Sequence, residues 1–120
     1  MRPHERLDVW RRSVDFVVNI YKLTESFPNE EKFGLTSQIR RAAVSVPANI
    51  AEGAGRQSEK EFVHFLSIAQ GSASELSTEI LIAFRLGLIV EQTYRTALDE
   101  LDDIGRMIHG LSRHLKSKHK

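Results

Sequence analysis

The segment Gly34 to Arg56, GLTSQIRRAAVSVPANIAEGAGR, constrains the fold most: it keeps helical periodicity across an internal proline while a polar stripe runs beside its apolar face. Leu35, Ile39, Ala42, Ala43, Val46, Ile50 and Ala54 recur at helical spacing, and Gln38, Arg41, Ser45, Asn49, Glu52 and Arg56 align next to them. A solvated helical face is normally filled with Glu, Lys and Gln. Here charged and short polar groups alternate beside Ala and Gly, a composition suited to close backbone approach and hydrogen bonding.

Pro47 sets a condition on that helix. An interior proline removes one backbone hydrogen bond, crowds the preceding turn and costs roughly 3 kcal/mol. A break is one outcome. Against it, Val46 is a poor N-cap for a new helix, and the apolar rhythm passes from Ile39 through Val46 to Ile50 without a phase slip. The pattern therefore predicts one kinked helix over 35–55, with Ser45 or a water compensating the Ala43 carbonyl.

Three further helices follow from the same periodicity. Over 6–26, Leu7, Trp10, Val14, Val17 and Tyr21 form one apolar stripe and Phe16, Ile20, Leu23 and Phe27 a second. That arc is wider than a single core contact needs and predicts more than one packing neighbour. Pro28, Asn29 and the Glu30-Glu31 pair end the helix, and Gly34 caps the next. Over 58–86, Ser58 and Glu61 form a capping box ahead of a core stripe of Phe62, Phe65, Leu66, Ala69, Ala73, Leu76, Ile80, Ala83 and Phe84. Beside it lies a small-residue seam of Ser67, Gly71, Ser74 and Thr78, and mid-helix Gly71 asks for a packing reason because glycine there costs about 1 kcal/mol against alanine. Gly87 reads as a left-handed stop.

Over 91–115, Tyr94, Leu101, Ile108 and Leu115 occupy one heptad position and Ala97, Ile104 and Leu111 the other. Asp99, Glu100, Asp102 and Asp103 load its first half, and Arg106, Arg113, Lys116, Lys118 and Lys120 its end, which complements the helix dipole. No strand alternation interrupts the pattern. The expected architecture is all-α, a single domain over 1–120 folded as an up-down-up-down antiparallel four-helix bundle with a basic tail over 116–120.

The runs GLTSQIRRAAVSVPANIAEGAGRQSEKEFVHFLSIAQGSASELSTEILIAFRLGLI and VDFVVNIYKLTESFPNEEKFGL carry a resemblance over nearly the whole chain. Its marks are the Gln-Ile-Arg-Arg-Ala-Ala, Pro-Ala-Asn-Ile-Ala-Glu-Gly and Phe-Leu-x-Ile-Ala-x-Gly-Ser steps, in that order. The sequence resembles the bacterial four-helix-bundle proteins encoded within intervening sequences of 23S ribosomal RNA genes. The resemblance implies a homopentameric, barrel-like assembly. It also implies kinship with the accessory protein of diversity-generating retroelements, which has the same architecture and is thought to bind nucleic acid beside a reverse transcriptase. The family name records gene location rather than an activity.

Composition narrows the function classes. A chain of 120 residues with 41% hydrophobic and 28% charged residues has one ordinary soluble core. The absence of cysteine excludes thiol catalysis and thiolate metal sites and suits a cytoplasmic setting. No apolar run reaches the roughly 18 to 20 residues of a membrane span, and MRPHERLDVW has no hydrophobic signal region. His4, His64, His109, His114 and His119 lack i,i+4 ligand spacing, the acidic stretch at 99–103 has no Glu-x-x-His pattern, Ser45, Ser67, Ser72 and Ser74 read as small packing residues, and Gly53-Ala54-Gly55 lacks the lysine and strand of a phosphate loop. We expect no enzyme activity, no metal and no cofactor.

Two non-enzymatic readings remain. One is a homo-oligomeric scaffold that binds RNA or DNA phosphates through Arg40, Arg41, Arg56, Arg113, Lys116, Lys118 and Lys120, with assembly multiplying weak contacts despite a net charge of only +1. The other is a protein-interaction module without nucleic acid. In both, the stripe Gln38, Arg41, Ser45, Asn49 and Glu52 and the seam Ser67, Gly71 and Ser74 are candidate contacts between copies. Glu52 and Arg56 are spaced to pair within the helix, whereas Arg41 and Glu52 are about three turns apart and suited to a bridge between copies.

Overall fold

A computed structural model describes residues 1–118, so the predicted contact residue Lys120 and His119 lie outside the described residues. The described chain folds as four helices: α1 Asp8–Thr24, α2 Leu35–Ala54, α3 Glu59–Arg85 and α4 Glu91–Ser117. Short 3₁₀ turns at Pro3–Arg6 and Asn29–Glu31 precede α1 and α2. No strand occurs among the described residues.

The local chemistry explains each boundary. Leu7 is extended at φ −89° and ψ 122°, so α1 starts at Asp8 rather than at residue 6, and the first six residues turn separately. Ser58 Oγ accepts the Glu61 amide at 3.1 Å, one half of the predicted capping box. Gly87 adopts φ 78°, the left-handed conformation that releases the chain from α3. Helix α2 runs unbroken through the buried Pro47. One boundary shifts: α4 runs to Ser117, two residues past the predicted end at 115, so Lys116 and Ser117 belong to the helix rather than to the predicted tail.

The α2–α3 pair is antiparallel and close. Ser45 and Ser72 hydroxyls are 2.7 Å apart, and further along Gly53 lies against Phe62 and Phe65. Gln70 Nε2 donates to the Gly105 carbonyl at 3.1 Å, and Phe84 stacks on Tyr94, which fixes α4 antiparallel to α3. Arg40 reaches back from α2 to the Thr24 hydroxyl at 2.8 Å and the Tyr21 carbonyl at 3.3 Å on α1. Arg12 meets Asp103 across α1 and α4 at 3.4 Å. The result is a bundle of about 48 × 22 × 21 Å in which α2–α3 and α1–α4 form opposite sides.

Ile20, Ile39, Ile50, Leu66, Leu76, Ile80, Ile104 and Ile108 fill the centre. On α1 the core stripe is Val9, Phe16 and Ile20, with Phe27 just beyond the helix; in the other stripe Trp10, Val14 and Val17 are half-buried and Tyr21 is exposed. Tyr21 has a different task, since its ring carries the Arg40 guanidinium 4.5 Å from its centroid.

Candidate assembly and nucleic-acid surfaces

The polar stripe of α2 opens onto a groove of about 350 Å³ lined by Gln38, Arg41, Ala42, Ser45, Ser72 and Glu75. Alanine and serine keep the two backbones near one another, and the Ser45–Ser72 hydrogen bond closes the groove floor at mid-length. Asn49 Nδ2 donates to the Ser45 carbonyl at 2.8 Å and to its hydroxyl at 3.0 Å, so the stripe is internally ordered. Arg41 is exposed and makes no ion pair among the described residues.

Glu75 and Glu79 stand one turn apart on the α3 side. Glu79 is only 6% exposed, and its Oε1 has no hydrogen-bond partner among the described residues. Burial, followed by the hydrogen bond and the charge of Glu75, raises its pKa to about 7. A carboxyl in that setting is held near the balance between its neutral and charged forms. The sequence reading missed this pair, although the acidic residues at 75 and 79 extend the line of Ser72 at helical spacing.

The predicted contacts between copies fall on two surfaces. Gln38, Arg41 and Ser45 line the α2–α3 groove, with Asn49 and Glu52 continuing the same stripe. On α3, Ser67, Gly71 and Ser74 face outward, and Ser74 belongs to a different groove, between α3 and α4. A Cβ added at Gly71 would meet nothing within 4 Å, so packing inside the bundle supplies no reason for glycine there. Val44, Ile68 and Ile82 are exposed hydrophobics on α2 and α3, at 42%, 39% and 44%.

The predicted phosphate-binding residues also divide. Helix order places the start of α1, the end of α2, the start of α3 and the end of α4 at one pole of the bundle. Arg56, Arg113, Lys116 and Lys118 gather there. Arg56 is paired with Glu52 at 3.6 Å and lies over the Phe65 ring, and Lys118 pairs with Glu59 at 3.3 Å. Arg113 and Lys116 are exposed without an ion pair among the described residues, as are Arg6 and Lys60 at the same pole. Arg40 and Arg41 sit away from it, and Arg40 is committed to Tyr21 and Thr24.

Between α3 and α4 a groove of about 610 Å³ leads toward that pole, floored by Ala73, Ser77 and Gly105 and edged by Arg106, His109 and Arg113. Asp102 also lines it, and Arg106 is paired with the neighbouring Asp103. Arg106, through a hydrogen bond, and then Arg12 hold the Asp103 carboxyl below the usual carboxylate range. A net charge of +1 thus conceals an uneven distribution, with uncompensated cations at one pole. Among the described residues no group of three or more histidine, aspartate or glutamate side chains is arranged to hold a metal. Among the described residues no helix is long and apolar enough to cross a membrane.

The sequence pattern of the 23S rRNA-intervening sequence proteins matches residues 5–110. A crystal structure of a protein of unknown function from the S23 ribosomal protein family of Bacteroides thetaiotaomicron VPI-5482 superposes with a TM-score of 0.81. The two chains are 28% identical, over 88% of this chain and 95% of that one. No curated protein matches the chain.

Proposed function

The chain belongs to the family of 23S rRNA-intervening sequence proteins, and from that premise we propose that it is a non-enzymatic, self-assembling scaffold in the cytoplasm whose basic pole engages RNA or DNA phosphates. The assembly is a homopentameric ring, the order implied by the family resemblance. The observation that carries the nucleic-acid reading is the set Arg6, Lys60, Arg113 and Lys116, gathered at one pole without ion-pair partners among the described residues. Each such cation neutralises one phosphate and releases its counterions, and a ring multiplies those weak contacts by presenting every pole together. The exposed aromatic chemistry needed to stack bases is absent from the basic residues named, so binding is to backbone and insensitive to sequence.

Salt titration of binding to a fluorescent RNA and DNA tests this. Affinity falls steeply between about 50 and 200 mM salt if phosphates are engaged. No retention of either nucleic acid at low salt overturns the reading. The exposed Val44, Ile68 and Ile82 favour a second one, in which the chain is a protein-interaction module and its surfaces meet polypeptides alone. In that case assembly persists and nucleic-acid binding is absent.

A further inference from the structure

We propose that the α2–α3 groove is the docking face for a second copy of the chain, and that the docking copy lays Lys22 of its α1 against the Glu75 and Glu79 carboxyl groups. This rests on the self-assembly reading above and adds the faces and the charge pair that join neighbours.

Arg41 lines the groove beside Glu75, but it forms no ion pair with either carboxyl group among the described residues, so two acidic groups face a single cation there. Glu79 is nine-tenths buried with one oxygen unpartnered, Glu75 is exposed beside it, and neither has an ion pair among the described residues. A buried acceptor left unmade costs about 1 to 3 kcal/mol, which a donor from outside the protomer would relieve. Val44, Ile68 and Ile82, exposed on the same two helices, ask for apolar cover that a small ion does not provide. Ser45, Ala48 and Ser72 are small enough to let another helix come near.

The opposite side of the bundle offers the complement. On α1, Lys22 is exposed with no ion pair among the described residues, and Val18, one turn earlier, is 48% exposed. Lys22 therefore presents a cation beside an aliphatic group, matching carboxylates beside aliphatic groups. Height agrees as well. The Arg40 bonds to Tyr21 and Thr24 set Lys22 level with Arg40 and Arg41, and Arg41 lines the same groove as Glu75. Rotation about an axis parallel to the helices preserves height, so one copy's Lys22 arrives at the next copy's Glu75 and Glu79. Two different faces meeting in this way form a heterologous contact, which closes into a ring when the rotation divides a full turn.

Charge exchange tests the pairing, read by light-scattering mass with circular dichroism as the folding control; both exchanged positions are exposed, so folding is retained. Lys22→Glu and Glu75→Lys alone each weaken association roughly tenfold or more through like-charge opposition. Combined in one chain they restore it, because the two exchanged side chains again carry opposite charges where neighbouring copies meet. Singles that stay assembled overturn this contact while leaving self-assembly standing, and singles that dissociate without rescue in the double variant overturn the Lys22 assignment. A wild-type chain that is monomeric at every concentration overturns the self-assembly reading itself.

Discussion

Glu79 is buried one helical turn from Glu75, and the two carboxyl groups share a hydrogen bond at the α2–α3 groove. The stability of the dissociated protomer is therefore linked to pH. Unfolded, Glu79 titrates near 4.5; folded, at about 7. Below the lower value the carboxyl is neutral in both states and costs nothing. Between the two the folded state holds the extra proton, so stability falls as pH rises, and above the upper value the loss is complete. The groups at this groove are Glu75 on α3 and Gln38 and Arg41 on α2. Glu79→Gln removes the effect: urea denaturation at low protein concentration shows it more stable than wild type by about 1 to 3 kcal/mol at pH 8. The two proteins converge near pH 4.5.

Gly53 and Gly71 behave oppositely on substitution. A Cβ at Gly53 would come within 2.8 Å of Phe65 Cβ and 2.9 Å of Phe62 Cδ1. Gly53→Ala destabilises by roughly 1 to 2 kcal/mol, overpacking outweighing the gain in helix propensity. Gly71→Ala, with open space around it, stabilises the protomer by about 0.5 to 1 kcal/mol. Thermal unfolding of the two variants separates them by sign.

Ser58→Ala removes the hydroxyl that accepts the Glu61 amide. The expected loss is about 1 kcal/mol. Denaturant midpoints measured at constant m-value test it.

Replacing Arg113 and Lys116 together with alanine weakens nucleic-acid binding uniformly across sequences and lowers the salt slope by about 2. Arg40→Ala leaves that slope unchanged and reduces stability instead, because its guanidinium bonds Thr24 and covers Tyr21 inside the protomer. Fluorescence titration at several salt concentrations, beside urea melts, separates the two roles.

Much of the architecture was legible from local chemistry. Ser58, Gly87 and the heptad of α4 declare their elements because capping, positive φ and periodic burial depend on nearby residues alone. Pro47 was readable because the apolar phase carried through it. The surfaces were less legible. Arg40 and Arg41 are neighbours in sequence, yet one is tied to Tyr21 and the other edges the groove, a division set by how α1 crosses α2. Arg113 and Lys60 meet at one pole only because α3 and α4 are antiparallel. Glu79 looked like an ordinary helical acid, since its burial comes from the packing of α3 on α2 rather than from its sequence neighbours.

Sedimentation equilibrium of the chain over a wide concentration range tests the proposed self-assembly through the α2–α3 groove most directly. The account predicts a species of five times the 13.7 kDa chain mass that dissociates on dilution. A constant 13.7 kDa at every concentration would contradict it.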